Sequence, residues 1–266
     1  MFTLTQDWLR RYYGSKDNQK KDAENWLLRH GKNVPKDKID AWSYYKHLIE
    51  YQPNTPDIVP QCMNAIGTEF RSELEAHSWV NSLRCPTPAR AYKEVLELVQ
   101  PNSILELGVG GDSAISTGVY LAFLEEQEAP RMLSIDYHKL ETVWERYKDV
   151  PFWTFEQKDS VQALIDLERD YRNFDLIFID TIHSYTHTLE ELEKSAKMTF
   201  YICLDDCDFQ GNDFDPEPGG VKKALEVWLE GNKDWRRVDL EYGNNVALIE
   251  KKVGIQSNGK EEKIYY

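Results

Sequence analysis

Three carboxylates stand at the ends of two short apolar runs. Phe178-Ile179-Asp180 continues into Thr181-Ile182-His183-Ser184-Tyr185, and Leu204-Asp205-Asp206 continues into Cys207-Asp208. In an open parallel sheet, ligands bind at the carboxyl ends of the strands, so Asp180, Asp205 and Asp206 are predicted to approach one another. Three carboxylates held together repel unless they are protonated or bridged by a cation. An all-oxygen set with open positions suits Mg²⁺ or Mn²⁺. Such an ion would bind a substrate oxygen and lower the pKa of a hydroxyl. His183 is the candidate general base beside Asp180, with Tyr185 and His138 behind it. The plainer possibilities are solvated strand-end acids without metal and a histidine that makes only a structural hydrogen bond at a helix start.

The second constellation is Ile104-Leu105-Glu106-Leu107-Gly108-Val109-Gly110-Gly111-Asp112-Ser113. A buried strand delivers Glu106, the glycines let the backbone pass close under a ligand, and Asp112 or Ser113 can cap the helix that follows. The dinucleotide pattern needs Gly or Ala where Ser113 stands, which disfavours hydride chemistry. A carboxylate beside a pyrophosphate would repel it, so an acid two residues before the first glycine suits a ligand with a positive group. The sulfonium and α-amino group of S-adenosylmethionine make such a ligand. Asp136, at the end of the next strand, is placed to accept from both ribose hydroxyls, and Asp159-Ser160, after the third, to face the adenine. The expected cofactor-binding set is therefore Glu106, Gly108, Gly110, Ser113, Asp136, Asp159 and Ser160.

These residues need a scaffold that brings strand ends together, and the apolar pattern supplies one. From about residue 86, short apolar runs alternate with amphipathic stretches, the texture of βα units around a parallel sheet. Strands are predicted at Ser103 to Leu107, Met132 to Asp136, Phe152 to Phe155, Phe174 to Asp180 and Phe200 to Asp205. Helices are predicted around Tyr92 to Val99, Ser113 to Glu126, Val161 to Tyr171, Thr188 to Lys197 and Val221 to Leu229. Trp235 to Tyr242 and Asn245 to Glu250 flank Gly243-Asn244 and read as a hairpin closed by a tight turn. Before residue 86 the spacing is helical: Ala23, Trp26 and Leu27; Ile39, Trp42 and Ile49; Ile66, Phe70 and Leu74. The predicted organisation is a helical cap over 1–85, a cofactor-binding domain over 86–252 and a polar tail over 253–266. The loop Gln210 to Gly220 reads as a lid or as a solvated surface loop; with the cap, it is expected to select the substrate.

The chain has 266 residues, with 32 Lys plus Arg against 46 Asp plus Glu, a net charge of −14. That charge repels phosphate backbones and anionic lipid, which argues against nucleic acid and membrane as partners. No apolar run is long enough to span a bilayer, and the N-terminus lacks a basic region followed by an apolar one, so a cytoplasmic chain is expected. Cys62, Cys85, Cys203 and Cys207 form no CxxC pair and read as reduced. The sequence leaves room for assembly of identical copies.

At the glycine loop, Asp136 and Asp159-Ser160, the sequence resembles the class I S-adenosylmethionine-dependent methyltransferases, from about residue 86 to 250. The resemblance implies a Rossmann-like α/β fold: a seven-stranded, mostly parallel sheet whose terminal hairpin contributes an antiparallel strand. The stretch Asp180-x-x-His183-Ser184-Tyr185 and the later Gly219-Gly220-Val221-Lys222-Lys223-Ala224 are similar to the metal-dependent small-molecule O-methyltransferases. These include the catechol-type and macrolide-sugar groups and cephalosporin-hydroxylase-like relatives. The resemblance implies metal ligands Asp180, Asp205 and Asp206 and a small hydroxylated, natural-product-like substrate; the chain departs from it at Thr181-Ile182, where Gly and an acid are common. Nucleic-acid N-methyltransferases commonly carry Asn or Asp with Pro-Pro and an aromatic at this point, and Asp180-Thr181-Ile182-His183 lacks that pattern. The same residues also admit a metal-independent transferase with His183 as base, and a hydroxylase-like or non-catalytic relative that binds the cofactor.

Overall fold

In the computed structural model, which describes residues 1–5, 8, 65–84, 86–110, 114–211, 217–243 and 245–252, the apolar runs form one seven-stranded sheet. Its strands are β1 Ser103–Leu107, β2 Arg131–Asp136, β3 Trp153–Gln157, β4 Leu176–Ile179, β5 Tyr201–Leu204, β6 Trp235–Val238 and β7 Ala247–Lys251. Their order across the sheet is β3-β2-β1-β4-β5-β7-β6. The first five strands pair in parallel, while β7 runs antiparallel to both β5 and β6. This is the mostly parallel, Rossmann-like sheet with an antiparallel terminal strand that the sequence predicts.

Seven helices are described: α1 Glu73–Arg84, α2 Pro86–Val99, α3 Ile115–Leu124, α4 Glu141–Tyr147, α5 Ser160–Arg169, α6 Tyr185–Ser195 and α7 Gly220–Gly231. Strand side chains alternate between the two faces of the sheet. On one face Ile104 packs with Tyr92 and Val95 of α2, Tyr120 and Leu124 of α3, and Tyr147 of α4. On the other, Leu105 and Leu107 pack with Leu164 of α5, Leu192 of α6, and Leu225 and Trp228 of α7. Every residue of β1 is buried, and each of its aliphatic side chains contributes roughly 2 kcal/mol by leaving water. Helices thus cover both faces, and the strand order reverses between β1 and β4. The mouth for a ligand opens there, at the carboxyl ends of those two strands.

Two local expectations are corrected. Ile66, Phe70 and Leu74 do not share a helix: Gly67 takes φ +92°, and Phe2–Thr3 pairs antiparallel with Glu69–Phe70. A helix cannot pass through that backbone conformation, so α1 begins only at Glu73. The β6–β7 hairpin exists, but its strands end at Val238 and resume at Ala247, so the connection is longer than a Gly-Asn turn. Helix α4 has no counterpart among the predicted helices, because Val143 and Tyr147 are too few apolar positions to display a period. The other two helical stripes, most of the expected cap, Cys62, Cys85 and the tail lie outside the described residues. Cys203 and Cys207 are buried free thiols. Among the described residues no helix is long and apolar enough to cross a membrane.

Candidate active site

The glycine loop follows β1. Gly108 and Gly110 adopt φ +84° and +72°. Gly108 is also fixed by space: a Cβ there would lie 1.8 Å from the Asp180 carbonyl oxygen. The loop is pinned on both sides, since Gly108 N–H donates to Ile135 O and Asp180 N–H donates to Leu107 O, each at 2.8 Å. Asp136 completes the brace. Its Oδ2 accepts from Val109 N–H at 2.9 Å and its Oδ1 from His138 N–H at 2.8 Å. Each carboxylate oxygen retains a further lone pair for a ligand.

Beneath this loop lies a cleft of about 450 Å³, lined by Gly108, Gly110, Asp136, Asp159, Ser160 and Asp180 among others. Six of the sequence-predicted residues are thus brought to one surface. Asp159 also caps α5, accepting from Gln162 N–H at 2.9 Å. Ser113 lies outside the described residues. Ile135, Tyr137, His138, Lys158, Thr181, Ile182 and His187 complete the lining. Tyr137 and Ile182 are more than half exposed, apolar surfaces fit to flank a flat ring. Their signal in the sequence is only their place after Asp136 and Asp180.

Glu106 departs from its expected role. It is 0% exposed and does not line the cleft. Its carboxylate accepts from Ser116 Oγ at 2.7 Å, from Thr117 Oγ1 at 3.0 Å and from Ser134 Oγ at 2.6 Å; Ser134 in turn accepts from Trp153 Nε1 at 2.9 Å. The reason is strand periodicity. Glu106 shares its face with Ile104, so it points into the layer beneath α3 rather than out of the strand end. Burial pushes its pKa from 4.5 up to about 7, and the three hydroxyl bonds pull in the opposite direction. Glu106 therefore ties the loop-bearing strand to α3 and β2.

Asp180 borders the cleft and also joins a second group. Its Oδ1 lies 2.9 Å from His183 Nε2, which is 3.5 Å from Asp206 Oδ2. One donor atom from each of Asp180, His183 and Asp206 lies within 4.8 Å of the other two. Both His183 and Asp206 have positive φ, 55° and 50°, a conformation costing roughly 1 kcal/mol or more for a non-glycine residue. Asn245 Nδ2 donates to Asp206 Oδ1 and so secures it from β7's side. The bond from Asp180 holds the His183 pKa above its ordinary value against the opposing effect of burial, aided by the charges of Asp180 and Asp206. The Phe209 ring lies 5.7 Å from the His183 ring. Tyr185, at the start of α6, carries Lys223 Nζ over its ring at 4.5 Å, and His138 sits on the cleft rim.

Asp205, the third residue of the expected set Asp180, Asp205 and Asp206, lies apart from that group in the structure. It turns inward, accepting from Tyr92 Oη on α2 at 2.5 Å and from Asp206 N–H at 2.9 Å. Burial first, then the charge of Asp180, raises its pKa from 3.8 to about 6. Consecutive residues at a strand end point in opposed directions, so only one of an acidic pair faces the open side. Two carboxylates and an imidazole remain: the carboxylates suit Mg²⁺ or Mn²⁺, and the imidazole, once free of its hydrogen, suits a transition-metal ion better than Mg²⁺.

No protein-family model matches the chain, and no curated protein does. Solved structures do match. An O-methyltransferase from Bacillus cereus, in complex with SAH, the demethylated product of S-adenosylmethionine, aligns at 17% identity and TM-score 0.50, over 73% of this chain and 97% of that one. The MycE methyltransferase of the mycinamycin pathway, in complex with Mg, SAH and mycinamycin VI, aligns at 18% identity and TM-score 0.49. That alignment covers 82% of this chain and 65% of MycE, so this chain spans less than two thirds of MycE's length. An SAH-bound methyltransferase from Podospora anserina aligns at 13% identity and TM-score 0.46, over 90% of this chain and 98% of that one. At such identities the likeness is one of fold, the Rossmann-like fold that this chain shares with the Bacillus cereus O-methyltransferase.

Proposed function

We propose that this protein transfers the methyl group of S-adenosylmethionine to a hydroxyl of a small metabolite, assisted by a divalent ion. One observation carries the reading: Asp180 belongs both to the wall of the cleft and to the cluster with His183 and Asp206. A group held in the cleft is thereby set next to a group able to activate a hydroxyl. The fold shared with an SAH-binding O-methyltransferase supports the choice of cofactor.

In this reading Asp136 takes the ribose hydroxyls, and the backbone of Gly108 to Gly110 passes under the methionine portion. Asp180, Asp206 and His183 would hold Mg²⁺ or Mn²⁺. When bound, such an ion lowers the pKa of a coordinated hydroxyl toward neutrality. The acceptor oxygen, its proton given up to solvent, would attack the methyl carbon in line as the carbon–sulfur bond breaks, giving a methyl ether and SAH. Asp205 supports Asp206 by accepting from its backbone N–H and would not be among the residues that hold the ion.

A second reading is favoured by the 2.9 Å bond between His183 and Asp180. Without metal, His183 takes the proton of the acceptor hydroxyl, and Asp180 and Asp206 stabilise the imidazolium that forms. The deciding experiment is a methylation assay on a panel of phenols and sugar hydroxyls, read as a gain of one CH₂ by mass spectrometry, before and after chelation with EDTA and dialysis. Loss of product on chelation and its return with Mg²⁺ or Mn²⁺ supports the first reading. Undiminished turnover supports the second. SAH binding without methylated product across a broad panel would overturn both in favour of a binding module.

A further inference from the structure

The connection between β6 and β7 carries an exposed residue, Asn245, that reaches the end of β5 and binds three successive residues there. Its side-chain Nδ2 donates to Asp206 Oδ1, its backbone oxygen accepts from Cys207 N–H at 3.0 Å, and its side-chain oxygen accepts from Asp208 N–H at 3.2 Å. These neighbours fix the orientation of the amide. A carboxylate only accepts and a backbone N–H only donates, so each end of the amide has one partner that suits it, and the reverse orientation would lose both bonds.

The connection that delivers Asn245 is itself held by α2. The two carboxylate oxygens of Glu94 accept from Glu241 N–H at 2.6 Å and from Tyr242 N–H at 2.9 Å. The guanidinium of Arg90, one turn earlier on the same helix, lies over the Tyr242 ring at 5.7 Å. Helix α2 therefore acts on both members of the acidic pair. Tyr92 draws Asp205 inward, while Glu94 steadies the segment whose Asn245 holds Asp206.

The two oxygens of Asp206 thus have separate tasks. Oδ1 is engaged by Asn245, and Oδ2 faces His183 Nε2 at 3.5 Å. A carboxylate without such a partner can turn about its own bonds, and holding it in one orientation removes that freedom before any ligand arrives. We propose that Asn245 is a positioning residue for the group Asp180, His183 and Asp206: by engaging Oδ1 of Asp206 it presents Oδ2 to the other two and sets the affinity of the group for a divalent ion. The inference rests on the reading of that group as the holder of the ion, and it gives a role to a residue outside both the group and the cleft.

The test is titration of the full chain with Mn²⁺, read by the electron paramagnetic resonance of the free ion. Asn245→Ala is expected to weaken Mn²⁺ binding about 10- to 100-fold, with the far-ultraviolet spectrum unchanged. In an Asp206→Ala background, where its partner is gone, the same substitution is expected to change the affinity less than about twofold. A merely structural role would lower the melting temperature and leave the Mn²⁺ affinity of the folded chain as it was. An unchanged affinity in Asn245→Ala overturns the proposal, as does an equal loss in both backgrounds. Should Asp206→Ala bind Mn²⁺ too weakly to measure, the crystal structure of Asn245→Ala decides: Oδ2 of Asp206 turned away from His183 supports the proposal, and Oδ2 left in place overturns it. Failure of the unaltered protein to bind Mn²⁺ is a separate outcome that overturns the metal reading and this inference with it.

Discussion

Tyr92 Oη donates a 2.5 Å hydrogen bond to Asp205 Oδ2, joining helix α2 to the end of β5 across 113 positions of sequence. Burial first, then the charge of Asp205, raises the Tyr92 pKa well above its ordinary value, so the phenol keeps its proton and remains a donor. The bond stabilises the ionised form of a carboxyl that burial would otherwise keep neutral. Tyr92→Phe should therefore cost about 1 to 3 kcal/mol above pH 6. The cost should shrink as pH falls through about 6, where Asp205 takes up a proton. Urea denaturation of both proteins, at about one pH unit below and two above that value, measures the difference; an equal cost at both would show that the partner of Tyr92 is not a titrating carboxylate.

The two loop glycines should behave differently on substitution. Both have positive φ, but only Gly108 faces a backbone oxygen at 1.8 Å from its missing Cβ, whereas Gly110 has nothing within 4 Å. Gly110→Ala should cost about 1 to 2 kcal/mol, the strain of the left-handed conformation alone. Gly108→Ala should cost distinctly more and weaken SAH binding as well, because β1 and β4 must separate. Thermal unfolding and calorimetry on the pair would contradict the loop geometry if the two variants were alike.

Asp136→Ala removes the acceptor of both Val109 N–H and His138 N–H along with the proposed ribose contacts. SAH affinity should fall at least about tenfold, the loss expected for hydrogen bonds to a charged group, while the far-ultraviolet spectrum is unchanged. An unaltered dissociation constant would remove Asp136 from the cofactor site.

Glu106 makes a prediction about pH. Its folded-state pKa of about 7 lies above the ordinary 4.5, so between those values the folded chain binds more protons than the unfolded one. Stability from this group is full below about 4.5 and is lost as pH rises toward 7. Glu106→Gln cannot titrate. Its unfolding free energy relative to the parent should therefore rise by about 3 kcal/mol across that window. Parallel stability curves for the two proteins would show that the carboxyl ionises normally despite its burial.

The sequence by itself determined the sheet, the place of the glycine loop and which strands end in acids. Alternation, apolar spacing and the conformational needs of glycine are properties of neighbouring residues, and they survive without knowledge of the fold. Thus Gly108, Asp136, Ser160 and Asp180 could be assigned to one mouth from strand order alone. Only the tertiary structure decided which carboxylates meet. Glu106 was turned under α3 by the hydroxyls of Ser116, Thr117 and Ser134, and Asp205 was drawn inward by a tyrosine from a distant helix. His183 took its place beside Asp180 and Asp206, and His187 was set between Ser160 and Glu191 along the cleft wall. A side chain's final partner is set by burial and hydrogen bonding among segments far apart in the chain, and no local period records that choice.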